Sequence, residues 1–313
     1  MAWPLVAEAQ PGGKMYRVAF LESTSPSEYA SQMEAFRTEL RGLGYVEGKN
    51  VVIEFRWAQA RNDRLPELAQ ELVRLKPDVL VTHGAPGALA AKRATSTIPI
   101  VVWVVAEAVA IGAVDGLARP GGNITGSSFF VPELSAKRLQ FLKEAVPNLG
   151  RVGLLLKRDN PVNPPVLRAM EQAAQSLKIQ LESVEVTRPA DIENAVSALV
   201  KGHAGAIAVI DEAMLLAQSE RIANMAKKHS LPTIGLIEYA RAGGLLGFGV
   251  NFADLWRRAA VFVDKILRGT KPGDLPVEQP TKFELVINLR TARALGLTIP
   301  PSLLARADQV IDP

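Results

Sequence analysis

Two short apolar runs, YRVAFLE at Tyr16–Glu22 and RVGLLLK at Arg151–Lys157, are each followed by a polar turn and a long helix-like stretch. Counted from the arginine of each run, the offset is 134 residues. Counted from Pro99 and Pro232, which lie in a later pair of matching segments, it is 133 residues. A nearly constant offset predicts two copies of one strand–helix layout. Two similar lobes would leave a cleft between them, where a small molecule can bind.

Length and composition agree with two domains and exclude several classes of protein. The chain has 313 residues, of which 48% are hydrophobic, enough for two cores. No apolar run approaches the roughly 20 residues that cross a bilayer. The net charge of +4 comes from scattered residues without a Lys/Arg tract, so we expect no nucleic-acid partner. The absence of cysteine excludes disulfides, thiolate metal sites and cysteine nucleophiles, but it does not fix the compartment.

The first residues point to export. The segment MAWPLVAEAQ at residues 1–10 is apolar and contains Ala-Glu-Ala, a small–x–small pattern typical of signal-peptide cleavage sites. A charged n-region and a full apolar h-region are missing, so a simple tail is the alternative. We interpret residues 1–14 as the remnant of a signal peptide and expect an exported protein.

The pattern along the chain predicts an α/β fold with two Rossmann-like lobes joined by a hinge. Runs rich in Val and Ile alternate with amphipathic helical patterns, which is typical of parallel sheets covered by helices on both faces. The predicted strands lie at 17–21, 51–56, 79–82, 100–104, 152–156, 180–186, 206–210 and 233–236. The predicted helices lie at 28–43, 65–75, 87–94, 165–177, 191–200 and 218–229.

The connections between the lobes follow from the segments that the repeat does not explain. RPGGNITG at 119–126 is rich in Pro and Gly and is predicted to be a crossover. The stretch after residue 249 has no counterpart in the repeat, so we predict that it returns and completes both lobes. The predicted N-terminal lobe comprises 15–124 and 250–284, and the C-terminal lobe comprises 125–249 and 285–313.

Motifs for catalysis and cofactor binding are missing. The sequence has neither a phosphate-binding P-loop nor a G-x-S-x-G nucleophile elbow. Its three histidines, His83, His203 and His229, do not have a metal-ligand spacing. The segment at 84–87 follows a predicted strand and opens a helix, but it lacks the G-x-G-x-x-G pattern of dinucleotide sites. We therefore expect no cofactor, no metal and no enzymatic activity.

Candidate ligand contacts follow the predicted strands, at the edge where open α/β sheets bind ligands. In the first copy they are Ser23, Thr24, Ser25, His83, Gly84, Ala85, Pro86, Gly87, Trp103 and Glu107. In the second copy they are Arg158, Asp159, Asn160, Asp211, Glu212, Glu238 and Tyr239. The first set is small, hydroxyl-bearing and aromatic, whereas the second is charged. The pattern favours an unsymmetrical small molecule whose carboxylate approaches backbone N–H groups at the start of the helix near residue 84.

Each candidate also has a purely structural interpretation. The serines and Thr24 after the first strand, and Asp211 after a later one, could cap helices. Trp103 could fill the core, and His83 could bond a neighbouring loop. Tyr239 could be a surface ring. Their shared position at strand ends is the argument for a site.

Further motifs extend over nearly the whole chain, from residue 16 to residue 311. They are LRGLGYVEGKN at 40–50, DRLPELAQELVRL at 63–75, LAAKRATSTIPI at 89–100, LARPGGNITG at 117–126, LSAKRLQFLKEAVP at 134–147, VEQPTKFELVINL at 277–289 and LGLTIPPSLLAR at 295–306. Together they resemble the ABC-transporter substrate-binding proteins of the tryptophan/tyrosine-binding type, which have the type I periplasmic-binding-protein fold. The resemblance implies an exported receptor that closes on a small solute by hinge motion and delivers it to a membrane permease, without chemistry.

The chain departs from that family at three predicted ligand loops. Ala-Glu-Ala at 106–108 replaces Ser-Asp-Pro, Gly-Ala-Pro at 84–86 replaces Gly-Thr-Pro, and a basic segment at 157–161 replaces an Asn-Pro start. The ligand therefore need not be the family's usual one.

Taken together, these patterns predict a monomeric receptor for a small carboxylate-bearing ligand, either an aromatic amino acid or an aromatic acid. Its partners would be that ligand and, transiently, an ABC permease. The alternatives are a ligand-sensing regulatory domain and an enzyme on a similar two-lobed scaffold.

Overall fold

The computed structural model describes residues 14–129, 131–158 and 160–312. The predicted signal-peptide remnant, apart from Lys14, and the candidate Asp159 lie outside these ranges. The strands are β1 (Tyr16–Glu22), β2 (Val51–Trp57), β3 (Val79–His83), β4 (Ile100–Ala106), β5 (Ile124–Phe129), β6 (Arg151–Lys157), β7 (Gln180–Val186), β8 (Ala206–Val209), β9 (Thr233–Gly235), β10 (Leu246–Gly249), β11 (Glu284–Asn288) and β12 (Gln309–Ile311).

The helices lie between the strands, as the alternating pattern predicts. They are α1 (Ala30–Gly42), α2 (Leu65–Arg74), α3 (Gly84–Ala94), α4 (Val131–Ala145), α5 (Asn163–Leu177), α6 (Ile192–Lys201), α7 (Ala213–Ala217), α8 (Ser219–Lys228), α9 (Ile237–Arg241), α10 (Phe252–Leu267), α11 (Leu289–Ala294) and α12 (Pro301–Leu304). Short 3-10 helices occupy Pro26–Tyr29, Asn62–Arg64, Pro189–Asp191 and Pro272–Asp274. Within the described ranges, no helix combines the length and the apolar character that a membrane span requires.

The strands form two sheets that are mostly parallel, which confirms the predicted α/β class. The first sheet has the order β2-β1-β3-β4-β5, and the second has the order β12-β11-β10-β9-β8-β6-β7. Among the described strands, all pairings are parallel except the one between β10 and β11. Every residue of β3 is buried, as expected of a strand covered by helices on both faces.

The repeat of the sequence is visible in the topology. In the first sheet β1 lies between β2 and β3, and in the second β6 lies between β7 and β8. The crossover predicted at 119–126 is right only in part, because residues 124–126 begin strand β5. β5 pairs with β4 in the first sheet, so we propose that the first lobe continues to Phe129 rather than ending at residue 124.

The segment after β10 serves both sheets. α10 packs against α1 and β4, which belong to the first lobe. Glu278 forms a bridge to Ser127, and the backbone N–H of Ser128 donates to the Glu278 carbonyl over 2.9 Å. β11 and β12 then extend the second sheet. These contacts support the proposed return of the tail to each lobe.

An aromatic cluster connects α10 to the first sheet beneath the cleft. Trp256 of α10 stacks on Phe20 of β1, with ring centroids 5.5 Å apart, and lies 5.1 Å from the Trp103 ring of β4. Phe36 of α1 meets Phe20 edge-on at 5.0 Å. Such ring pairs add stabilisation beyond the burial of area. They fix α10, whose first residue, Phe252, reaches the cleft.

The close approach of β5 to β4 depends on Gly126. Its φ of +136° disfavours L side chains, and a Cβ added there would collide with the backbone of Val102. We expect Gly126→Ala to lower the free energy of unfolding by about 3 kcal/mol, the upper range for inserting a group into packed structure. Gly122→Ala, where nothing lies within 4 Å, is the matched control. Urea titrations followed by circular dichroism measure both, and equal midpoints would contradict the prediction.

Candidate functional site

A cavity of about 70 Å³ lies between the carboxyl ends of the two sheets. This is several times the roughly 10–15 Å³ that one water molecule requires. Residues from both lobes line the cavity, and nine of them are candidates from the sequence. These nine are Ser23, His83, Gly84, Ala85, Pro86, Trp103, Asn160, Asp211 and Glu212. The structure brings them together, and their role as ligand contacts remains a prediction.

Other sequence candidates lie elsewhere. Thr24 and Glu238 line a neighbouring cavity. Arg158, 58% exposed, donates from Nε to Glu185 Oε2 over 2.9 Å on the outside of β6. The hydroxyl of Ser25 lies 3.1 Å from that of Ser27 near the surface.

The remaining candidates fill structural positions. Gly87 packs so closely on Thr82 that an added Cβ would collide with its hydroxyl. The backbone N–H of Glu107 donates to the carbonyl of Phe129 over 3.2 Å. Burial raises the pKa of the Glu107 side chain, and the nearby Glu133 adds a smaller increase. Tyr239 is buried rather than on the surface. Burial also raises the pKa of Tyr239 well above its usual value, and the nearby carboxylates of Asp211 and Glu212 act in the same direction.

Several cavity residues were not among the sequence candidates. They are Tyr29, Val104, Val105, Ala106, Phe129, Val162, Ala213, Leu216, Leu236 and Phe252. Val104 ends the predicted fourth strand and Val105 and Ala106 follow it, but as small apolar residues they carried no signal for a ligand contact. Phe252 comes from the segment without a counterpart in the repeat, and nothing in the local sequence places it at the cleft.

The floor of the cavity in the first lobe is a buried polar cluster. Glu22, fully buried at the end of β1, has Oε2 2.6 Å from Nδ1 of His83. The indole Nε1 of Trp103 donates to Glu22 Oε1 over 3.3 Å, and its ring stacks on the imidazole with centroids 4.8 Å apart. His83 Nε2 lies 3.3 Å from the Tyr29 hydroxyl. A buried carboxylate needs such partners because its desolvation is costly, and they fix His83, Trp103 and Tyr29 facing the cavity.

The floor in the second lobe is a buried ion pair. Arg138 of α4, 2% exposed, donates from Nη1 and Nη2 to the two oxygens of Asp211, over 2.5 and 3.2 Å. Its Nε donates to the Phe248 carbonyl at 2.7 Å. This bidentate geometry holds the Asp211 carboxylate against the cavity wall. Since each oxygen can accept more than one hydrogen bond, Asp211 can still bind a ligand donor.

Glu212 lies where the two lobes meet, in the wall of the cavity. Its side chain accepts hydrogen bonds from the backbone N–H groups of Met214 and Leu215, over 2.6 and 3.2 Å, and so caps α7. Burial raises its pKa, whereas the nearby Lys157 and a hydrogen bond from the Asn62 side chain lower it. Asn62 belongs to the first lobe, so this contact spans the cleft.

The start of α3 is the natural position for an anionic group. Gly84, with φ +65°, begins the helix directly after β3, and Gly84, Ala85 and Pro86 line the cavity. The free backbone N–H groups of a first helical turn favour a carboxylate. The rings of Tyr29, Trp103 and Phe252 line the same cavity. The cavity can therefore hold a molecule with an apolar ring and a charged end. In the described ranges, no cluster of three His, Asp or Glu residues is placed to hold a metal ion.

The Arg138–Asp211 pair should matter strongly for stability. We expect Arg138→Met to lower the free energy of unfolding by about 3–5 kcal/mol, because it leaves the buried Asp211 carboxylate unpaired. The double variant Arg138→Met, Asp211→Leu should recover much of this loss, since it removes the unpaired charge. Urea denaturation of wild type, single and double variants measures both effects. A double variant as unstable as the single one would contradict this account.

Stability should also depend on Glu238. Burial raises the pKa of Glu238 from 4.5 to about 7. The folded state therefore holds a proton that the unfolded state releases between pH 4.5 and 7, and the free energy of unfolding falls as the pH rises through this window, by at most about 3 kcal/mol. In Glu238→Gln this fall in the free energy of unfolding between pH 5 and pH 8 should be missing. Urea titrations at the two pH values measure it. Parallel pH dependences of variant and wild type would contradict the prediction.

Comparisons with known proteins agree over almost the whole chain. A sequence model of the family described as ABC transporter substrate binding protein matches residues 18–311. The tyrosine-binding protein of Clostridioides difficile (strain R20291) is 25% identical over 265 residues, which cover 84% of this chain and 76% of that protein.

Two solved structures share the fold of this chain over nearly its whole length. A conserved domain protein from Vibrio cholerae is 28% identical with a TM-score of 0.89, covering 95% of this chain and 100% of the other. An ABC domain in complex with L-Trp from Streptococcus pneumoniae is 23% identical with a TM-score of 0.87 and the same coverage.

Proposed function

We propose that this chain, which belongs to the family of ABC transporter substrate-binding proteins, captures an aromatic amino acid in the cavity between its two lobes. One observation supports this most directly. The cavity combines aromatic side chains, the N-terminus of a helix and the carboxyl groups of Asp211 and Glu212. These are the complements of a ring, a carboxylate and an ammonium group.

Each part of an aromatic amino acid has a partner in the cavity. The ring would pack against Trp103 and Phe252. The carboxylate would accept hydrogen bonds from the backbone N–H groups that open α3. The ammonium group would donate to Asp211 and Glu212, each hydrogen bond to a charged group contributing about 1.5–3 kcal/mol. The names of two similar proteins, a tyrosine-binding protein and a domain in complex with L-Trp, support the same class of ligand.

Membership in the family supports a role in transport. The family consists of binding proteins for solutes rather than enzymes, and its members work outside the cytoplasm. We propose that this protein is periplasmic and that its lobes close on the solute by hinge motion. The contact between Asn62 and Glu212 would then be one that forms on closure. The closed form would deliver its solute to an importing ABC permease.

Ligand binding should stabilise the fold. At a concentration 100 times its Kd, a ligand that binds only the folded state adds about 2.7 kcal/mol. We therefore expect L-tryptophan, L-tyrosine or L-phenylalanine to raise the melting temperature measured by differential scanning fluorimetry. Indole-3-propionate, which lacks the ammonium group, should give a smaller shift. If no aromatic amino acid shifts the melting temperature at millimolar concentration, the proposed ligand class is wrong.

A substitution that fills the cavity should abolish this shift. Ala106, half-buried at the end of β4, lines the cavity, and Ala106→Phe would place a ring in the ligand's space. Ala110 lies exposed in the following loop, so Ala110→Phe adds the same ring outside the cavity. Isothermal titration calorimetry should show loss of binding for the first variant and wild-type affinity for the second. Wild-type affinity in Ala106→Phe would mean that the ligand binds elsewhere.

A further inference from the structure

A second chamber of about 190 Å³ adjoins the ligand cavity. Tyr29, Ala213 and Leu216 line both spaces, so the two are neighbours with a shared wall. The remaining walls come from both lobes: Thr24 and Gln32 lie on one side, and Ser219 and Glu238 on the other. The chamber therefore lies between the two lobes, as the ligand cavity does.

Two polar atoms of its lining residues lack partners. Thr24 is 1% exposed, and its hydroxyl has no hydrogen-bond partner among the described residues. Oε2 of Glu238 is likewise buried and without a partner in the described part of the chain. Leaving such groups unsatisfied costs about 1–3 kcal/mol each. Buried polar groups are normally satisfied, so their presence in a chamber implies a partner that is not protein.

Both side chains suit a hydroxyl partner. The threonine hydroxyl can donate and accept. Glu238 has a pKa of about 7 because of its burial, so near neutral pH it exists in both forms. As a carboxylate it accepts from a hydroxyl, and as a carboxylic acid it can donate to one. A strongly cationic partner is less well matched, because protonated Glu238 offers it no charge.

We propose that this chamber binds a hydroxyl group on the far end of the ligand's ring, and that Glu238 and Thr24 thereby distinguish hydroxylated from unsubstituted aromatic amino acids. This inference rests on the proposed function, since the ring must lie in the adjoining cavity. The selectivity would arise because an unsubstituted ring leaves both polar groups unsatisfied in the closed state.

Calorimetric titration with L-tyrosine and L-phenylalanine tests the assignment, since these probes differ only in the hydroxyl. The wild type should prefer L-tyrosine by about tenfold or more, the effect of one hydrogen bond to a buried group. Glu238→Met should bring the ratio of the two Kd values close to one while leaving the affinity for L-phenylalanine nearly unchanged. Thr24→Val should reduce the ratio by a smaller factor.

Two further variants serve as a substitute for Glu238→Met and as a control. Glu238→Gln retains hydrogen-bonding capacity and should preserve part of the preference, and it serves in place of Glu238→Met if that variant does not fold. Glu220→Gln, on the exposed face of α8, should match the wild type.

Three results would overturn the assignment. The first is a ratio near one between the wild-type Kd values for L-phenylalanine and L-tyrosine. The second is a ratio that stays at the wild-type value in Thr24→Val and in both Glu238 variants. The third is an equal loss of affinity for both amino acids, which would indicate a structural role only. If the wild type binds neither amino acid, the proposed function fails and the subsite with it, a result distinct from binding both without preference.

Discussion

The shape of the cleft depends on partners for the ionisable side chains that the fold buries beneath it. In the first lobe the carboxylate of Glu22 meets His83 and the indole of Trp103. In the second lobe Arg138 holds Asp211 in a bidentate ion pair. An isolated charge in either position would cost several kcal/mol. The register of β1, β3 and β4, and the position of α4 against β9 and β10, must therefore satisfy these pairs. The walls of the cavity depend on the same elements.

The two lobes share a scaffold but differ in chemistry. Strand order around β1 and β6 is alike, whereas the residues at their strand ends differ. The first lobe contributes rings and a helix N-terminus, and the second contributes carboxylates. A symmetric scaffold of this kind can therefore enclose an unsymmetrical molecule without any change of fold, because only the loops after the strands need to differ.

Much of the fold follows from the sequence because its signals are local. Apolar runs of four to seven residues and amphipathic stretches between them identify the strands and helices, and parallel strands bring their carboxyl ends to one edge. For this reason the sequence alone predicts that His83, Trp103 and Asp211 lie near one another. β5 escaped prediction because the glycines at 121–126 are typical of a turn. Gly126 instead allows the strand to approach the backbone of Val102 in β4.

The residues that sequence reasoning missed depend on tertiary packing. Phe252 reaches the cavity because α10 returns to pack on α1, and Arg138 meets Asp211 because α4 lies beside β10. Neither contact has a local signal. Arg158 is the converse case, since it follows β6 directly but points to the outer face and pairs with Glu185. Proximity to a strand end selects a region of the molecule, and side-chain direction decides which residues face the cavity.

The aromatic cluster beneath the cavity also gives the protein an optical signal. The Trp103 and Trp256 rings lie 5.1 Å apart, close enough for their electronic transitions to couple, and Trp103 stacks on an imidazole. Trp103 is at the same time part of the cavity wall. A molecule entering the cavity would change the surroundings of one indole of a coupled pair, so the near-ultraviolet circular dichroism and the emission spectrum would report occupancy without an added label.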